Sequence, residues 1–267
     1  MGLFRGDFYS QSLRMTTQVN VIFPDVSNDV TPLWEGTPRT LYLLHGLAAN
    51  AGEWTRFSKV EYYAKKYNFT VIMPEVQRSF YCSTVYGSDY FSYVADELPA
   101  ICNRWFRLAP DREHTFIAGE SMGGYGATKI ALRRPKQYAA CASLSGVMDY
   151  PAWVERARKG ELLPDVLPQE PDVLHGIGGV PSPEDDLFHL VRQAAQDPER
   201  PHLIQLCGTE DFLYGDNVRF RDAAQAAGYG HTYMEWAGEH AWPFWDIAIQ
   251  RAFQFFCGLD LEQSPLY

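Results

Sequence analysis

Gly119-Glu120-Ser121-Met122-Gly123 sets a serine between two glycines in the pattern G-x-S-x-G, a spacing that serves nucleophilic chemistry. A serine held in a sharp turn between a strand and a helix needs neighbours without side chains, because a Cβ there collides with one element or the other. The bare pentapeptide also occurs as a plain glycine-rich turn, so its context decides. Phe116-Ile117-Ala118 before it reads as the end of a buried strand, and Gly124-Tyr125-Gly126-Ala127-Thr128-Lys129 after it as the start of a helix. That helix lends Ser121 the partial positive charge of its N-terminus.

A serine hydroxyl is a weak nucleophile at neutral pH, so it needs a base in reach and an acid that fixes the tautomer of the base. In chains with such an elbow the acid and then the histidine follow the serine. After a candidate strand ending at Cys207, the loop Gly208-Thr209-Glu210-Asp211-Phe212-Leu213 offers two adjacent carboxylates. Position in the loop favours Asp211 over Glu210; Asp216 is a third candidate, better read as a helix N-cap. After the last candidate strand, Ala237-Gly238-Glu239-His240-Ala241-Trp242 puts His240 where the base belongs. His231 precedes that strand and falls at the wrong edge of the sheet. His45, His114, His175, His189 and His202 read as structural or surface residues; no HxxxH or HExxH pair marks a metal site, and no metal or cofactor is expected. A tetrahedral intermediate needs two backbone donors for its oxyanion. The Met122 amide is one candidate, and the Leu47 amide is the other, because Gly46 in His45-Gly46-Leu47 lets the backbone turn towards the serine.

Those loops need a frame. From about residue 40 onward, strand-like and helix-like segments alternate, which predicts an α/β fold with a mostly parallel central sheet and helices on both faces. Strands are predicted at 40–44, 70–73, 115–118, 139–144, 203–207 and 232–236, and the unbroken apolar run at 70–73 implies burial on both sides. Val19, Val21 and Phe23 alternate as an edge strand does. Helices are predicted at 92–106, with Ser92 as N-cap, and from about 122 to 132, ending near Pro135. The stretch from about 151 to 201 is rich in proline and glycine, including Pro164, Pro168, Pro171, Gly176, Gly178 and Gly179. It reads as an insertion with one helix at about 184–196, serving either as a lid over the site or as a subunit contact.

The 267 residues, 46% hydrophobic and 15% aromatic, suffice for one large core, so a single domain over 1–267 is expected. A formal net charge of −10, from 33 acidic and 23 basic residues, leaves no cationic footprint for nucleic acid or anionic lipid. No apolar run approaches the roughly 18 residues of a membrane span. Neither nucleic acid nor a membrane is an expected partner. The first residues lack the basic-then-apolar pattern of a secretory leader. Cys82, Cys102, Cys141, Cys207 and Cys257 show no CxxC spacing, and their odd number points to reduced core thiols. A cytoplasmic location is the expectation.

Together these residues resemble the esterase branch of the α/β hydrolases. That branch includes S-formylglutathione hydrolases, acetylxylan and feruloyl esterases, and the bacterial tributyrin esterases, which the chain most resembles. The likeness is carried by Tyr42-Leu43-Leu44-His45-Gly46 with Trp54, by Glu97-Leu98-Pro99, and by the elbow extended through Gly124-Tyr125-Gly126. It continues in Gly208 with Asp211-Phe212-Leu213-Tyr214, and in His240 followed by Trp242, Phe244 and Trp245. It spans nearly the whole chain apart from 151–201. The resemblance implies an α/β-hydrolase fold, with Ser121 as nucleophile, Asp211 as acid, His240 as base, and Leu47 and Met122 as oxyanion donors. It further implies an acyl-enzyme route on short acyl chains, acetyl to butyryl, carried by activated or carbohydrate esters.

Glu120 departs from the Leu or His that the resemblance leads one to expect, and would alter the charge beside the nucleophile. Aromatic residues are frequent on the probable site loops: Trp54, Phe80, Tyr81, Tyr86, Tyr90 and Trp242. Core packing accounts for most of them, while stacking on a sugar would use the rest; Trp54, Tyr86 and Trp242 are the candidate substrate contacts. The expected partner is a small-molecule or carbohydrate acyl ester, and self-association into a homo-oligomer stays open. Two other readings compete. S-formylglutathione hydrolysis needs a site for an anionic tripeptide, against which the acidity of the chain and Glu120 argue. A non-catalytic binding protein on the same fold is expected to have lost a reacting residue or an elbow glycine, and all are present.

Overall fold

Alternate residues of the strand Arg39–Leu44 are buried on opposite sides of one sheet. Leu41 and Leu43 join a cluster with Trp54, Tyr63 and Phe253, whereas Tyr42 and Leu44 join one with Val94, Leu98 and Tyr125. A period of two with both phases apolar is what a strand covered by helices on both faces requires. The computed structural model describes residues 2–25, 30, 32–33, 36–108 and 111–262.

The chain opens with strands β1 (Gly2–Ser10), β2 (Met15–Phe23) and β3 (Arg39–Leu44), followed by helices α1 (Glu53–Phe57) and α2 (Val60–Lys66) and strand β4 (Phe69–Pro74). Next come α3 (Tyr90–Ser92), a π-helical stretch Tyr93–Glu97, and α4 (Leu98–Phe106). Strand β5 (Thr115–Glu120), helix α5 (Met122–Arg133) and strand β6 (Ala140–Leu144) form the centre. Helices α6 (Tyr150–Arg158), α7 (Glu170–His175) and α8 (Leu187–Ala194) fill the insertion. The chain ends with β7 (His202–Gly208), α9 (Tyr214–Ala226), β8 (Thr232–Trp236) and α10 (Trp242–Phe256).

The eight strands form one sheet in the order β1-β2-β4-β3-β5-β6-β7-β8. β1 and β2 pair antiparallel, as do β2 and β4, and every pair from β4 to β8 is parallel. The sheet is therefore mostly parallel, with α1, α2 and α10 packed on one face and α4, α5, α6, α8 and α9 on the other, an α/β-hydrolase fold. Among the described residues no helix is long and apolar enough to cross a membrane. All five cysteines are free thiols, and four of them are buried.

Several local expectations are corrected. Val19 to Phe23 lie in β2, an interior strand, and the edge is β1. That strand escaped the pattern because Leu3, Phe4 and Tyr9 are exposed and Gly6 interrupts it. The cap before α3 is Asp89, whose carboxylate accepts the Ser92 N–H at 2.9 Å, and not Ser92. Asp216 is not the cap of α9; it sits buried in the first turn and pairs with Arg156 and, at 2.8 Å, with Arg219. The insertion holds three helices instead of one. Pro151 and Pro171 lie in the first turns of α6 and α7, where a missing N–H costs nothing, so residues that read as breakers begin helices.

Candidate active site

β5 ends at Glu120 and α5 begins at Met122, so Ser121 alone makes the turn between them. Its backbone sits at φ 54° and ψ −118°, a region that L-residues seldom occupy and that costs of order 1–3 kcal/mol. The surroundings hold it there. Ser121 donates its N–H to Leu144 O at 2.9 Å and accepts at its own carbonyl from Tyr125 at 3.1 Å and Val147 at 3.2 Å. The two glycines are needed for the reason the spacing suggested. A Cβ on Gly119 would overlap the backbone of Gly123, and one on Gly123 would run into the carbonyls of Leu44 and His45.

The loops after β7 and β8 are joined to each other by backbone. Thr209 donates to Trp236 O at 3.0 Å and Glu210 to Gly238 O at 3.1 Å; any side chain at Gly208 would overlap the Gly238 carbonyl. This junction brings Asp211 to His240. The Asp211 carboxylate, fully buried, lies 2.8 Å from His240 Nδ1 through Oδ2, while its other oxygen accepts the Leu213 N–H at 2.8 Å. His240 Nε2 lies 3.0 Å from Ser121 Oγ. A carboxylate facing Nδ1 keeps the ring proton on that nitrogen, which leaves the Nε2 lone pair to accept from the serine hydroxyl. The rings of Phe212 and Trp245, with centroids 4.6 and 5.0 Å from the imidazole, restrain it on two sides.

Met122 is the first residue of α5, and first-turn N–H groups have no partner within a helix. Leu47 follows Gly46 in the loop after β3 and lines the same cavity as Ser121. That cavity has a volume of about 330 Å³, the size of a small-ligand site. Trp242, Trp245 and Phe212 flank His240; Trp153, Leu162, Leu163 and Val166 of the insertion form the facing wall; Glu53, Glu120 and Asp165 supply carboxyl groups.

Of the candidate substrate contacts, the structure brings only Trp242 to the cavity. Trp54 is buried behind it, donating its indole N–H to Leu44 O at 3.1 Å and meeting Trp242 edge-on at 5.2 Å. Tyr86 is 72% exposed on a turn outside the cavity. Tyr81 and Tyr90 use their hydroxyls on His45 O and Gln77 Oε1, while Phe80 does line the site. His45 is structural: Nε2 accepts the Val76 N–H at 3.1 Å, so Nδ1 carries the proton and donates to Gly46 O at 2.8 Å. The proline- and glycine-rich composition of 151–201 marked the insertion as a candidate cover for the site, but its wall residues belong to no motif and show no period, so none of them was singled out.

Glu120 is 2% exposed, and its carboxyl accepts the Gly46 N–H. Burial pushes this acid well above the usual carboxylate range, the Gly46 amide pulls it back, and Glu53 adds to the rise. This direction disfavours the charged form of Glu120 beside Ser121.

A family model described as "Esterase: Putative esterase" matches residues 10–256. An acetyl esterase of Caldicellulosiruptor saccharolyticus is 28% identical, over 96% of this chain and 98% of its own length. Among solved structures, the Staphylococcus aureus fluorophosphonate-binding serine hydrolase FphF is 31% identical with a TM-score of 0.83, covering 96% of this chain and 98% of that one. The S-formylglutathione hydrolase FrmB of the same organism is 29% identical with a TM-score of 0.78, covering 96% and 98%.

Proposed function

Because this chain belongs to the putative esterase family, we propose that it hydrolyses short-chain acyl esters, acetyl to butyryl, with Ser121, His240 and Asp211 as the reacting set. Ser121 Oγ attacks the ester carbonyl as its proton passes to His240 Nε2, and the imidazolium then protonates the departing alkoxide. The acyl-enzyme is cleaved by water, which gives a proton to the same nitrogen and returns Ser121 with a free acid. Leu47 and Met122 supply the amides that hold the oxyanion in both halves. No cofactor takes part. The observation that carries this reading is the hydrogen-bonded line from Asp211 through His240 to Ser121, at 2.8 and 3.0 Å.

The similarity to an acetyl esterase supports acetyl groups among the substrates, as does a cavity of modest volume. Half-buried Trp242 and exposed Phe212 on the cavity lining are compatible with a carbohydrate or other neutral alcohol part. Tributyrin-type esters fall within the same acyl range.

Thioester hydrolysis is the second reading, favoured by the likeness to FrmB. The described lining residues weigh against it, since they include Glu53 and Asp165 and no Lys or Arg to receive an anionic tripeptide.

Initial rates on p-nitrophenyl esters of increasing length, acetylated sugars and S-formylglutathione test the proposal. A product burst on p-nitrophenyl acetate that vanishes in Ser121→Ala, with rates falling beyond butyryl, is the expected result. Undiminished turnover in Ser121→Ala removes the reading, and a preference for the thioester by orders of magnitude replaces the substrate.

A further inference from the structure

The two amides assigned to the oxyanion come from separate segments, the loop after β3 and the start of α5, and one side chain connects them. Glu120, the residue before Ser121, sends its carboxyl across to the N–H of Gly46, the residue before Leu47. Gly46 is shaped for this contact, because a Cβ there would overlap both carboxyl oxygens of Glu120. The rest of the loop after β3 is pinned from other directions: the Tyr81 hydroxyl donates to His45 O at 2.8 Å, and the His45 ring donates to Gly46 O at 2.8 Å. Glu120 also lines the cavity beside Ser121.

We propose that Glu120 is a positioning residue for ester hydrolysis, a strut that sets the distance between the Leu47 amide and the elbow carrying the Met122 amide. This rests on the serine-esterase reading. Oxyanion donors work only when held close to where the charge develops, and a displacement of a few tenths of an ångström is enough to weaken them. A strut of this kind must also be uncharged, since a carboxylate there would repel the developing oxyanion. The groups facing Glu120 favour the neutral acid. Glu53 of α1 lines the same cavity and acts on Glu120, the Tyr81 phenol feels the charges of both Glu120 and Glu75, and Ser121 and His240 line the cavity beside them. Burial shifts the balance towards the protonated acid.

Steady-state kinetics on p-nitrophenyl acetate from pH 6 to pH 10 test this, with Glu120→Met removing the acceptor at similar volume and Glu120→Gln keeping a carbonyl oxygen for Gly46. The strut predicts a fall in kcat of about 100-fold for Glu120→Met with KM changed by less than about threefold. Glu120→Gln recovers most of that loss. A folded Glu120→Met with native kcat, or Gln and Met variants equally impaired, overturns the proposal. Should Glu120→Met fail to fold, Glu120→Gln decides: a kcat within about tenfold of the native protein is expected, and a folded Glu120→Gln whose kcat falls by about 100-fold overturns the proposal. Ser121→Ala in the same assay separates the two claims: retained turnover there defeats the esterase reading itself, whereas its loss alongside an active Glu120→Met defeats only the strut.

Discussion

Asp211 has both carboxylate oxygens committed, one to His240 and one to the Leu213 amide, so its orientation is fixed before any substrate arrives. Replacing it with asparagine keeps the volume but lets a side-chain amide donate to Nδ1, which drives the imidazole into the tautomer that cannot accept from Ser121. Asp211→Asn is expected to lower kcat by about 10,000-fold with an unchanged circular dichroism spectrum. A loss of less than tenfold contradicts the role. These residues were legible because turn glycines and chain order constrain where a nucleophile, an acid and a base can stand. The upward shift of the Glu120 carboxyl was not legible, since it depends on burial and on the nearby Glu53, against the Gly46 amide, which a linear pattern does not display. Nor was the inward turn of Trp54, whose indole is used by the end of β3.

At the level of elements, α5 is what presents the elbow, and a buried charge ties it to the insertion. Lys129 of α5 is wholly buried; its Nζ lies 3.1 Å from Asp185 and 3.1 Å from Phe80 O, over the ring of Tyr125 at 4.7 Å. Burial pushes the Asp185 carboxyl up, but the Lys129 ammonium and the Ser182 hydroxyl outweigh it and hold the acid below its ordinary value. A folded-state value below the unfolded one means that this pair stabilises the protein above about pH 4, and that the contribution is lost as pH falls through the depressed value. Asp185→Asn strands the ammonium and is expected to cost about 3 kcal/mol in urea unfolding at pH 7, with the difference from the native protein shrinking below pH 4. A cost under about 0.5 kcal/mol at pH 7 contradicts the assignment. The parallel strands and α5 could be read from sequence because both faces of the sheet are apolar. β1 could not, because an edge strand with exposed Leu3, Phe4 and Tyr9 lacks that signature.

Across the whole molecule, the strand ends of the sheet carry Ser121, Asp211 and His240 to one cavity and the insertion supplies its opposite wall. Trp153 of α6 lines the cavity while packing on Phe80 at 4.3 Å, so the size of the cavity is set in part by a segment far from any motif. Trp153→Leu is expected to raise the ratio of p-nitrophenyl octanoate to acetate turnover by about tenfold; an unchanged ratio in a folded variant contradicts a limiting role. The location of this wall depends on packing between distant segments, and the prolines that begin α6 and α7 conceal helices from a reading by periodicity. Peptide mapping by mass spectrometry after reaction with a fluorophosphonate probe tests most directly whether Ser121 is the nucleophile. A single adduct on Ser121, absent from Ser121→Ala, is the predicted result, and an adduct on another residue, or an unmodified protein that still hydrolyses esters, contradicts it.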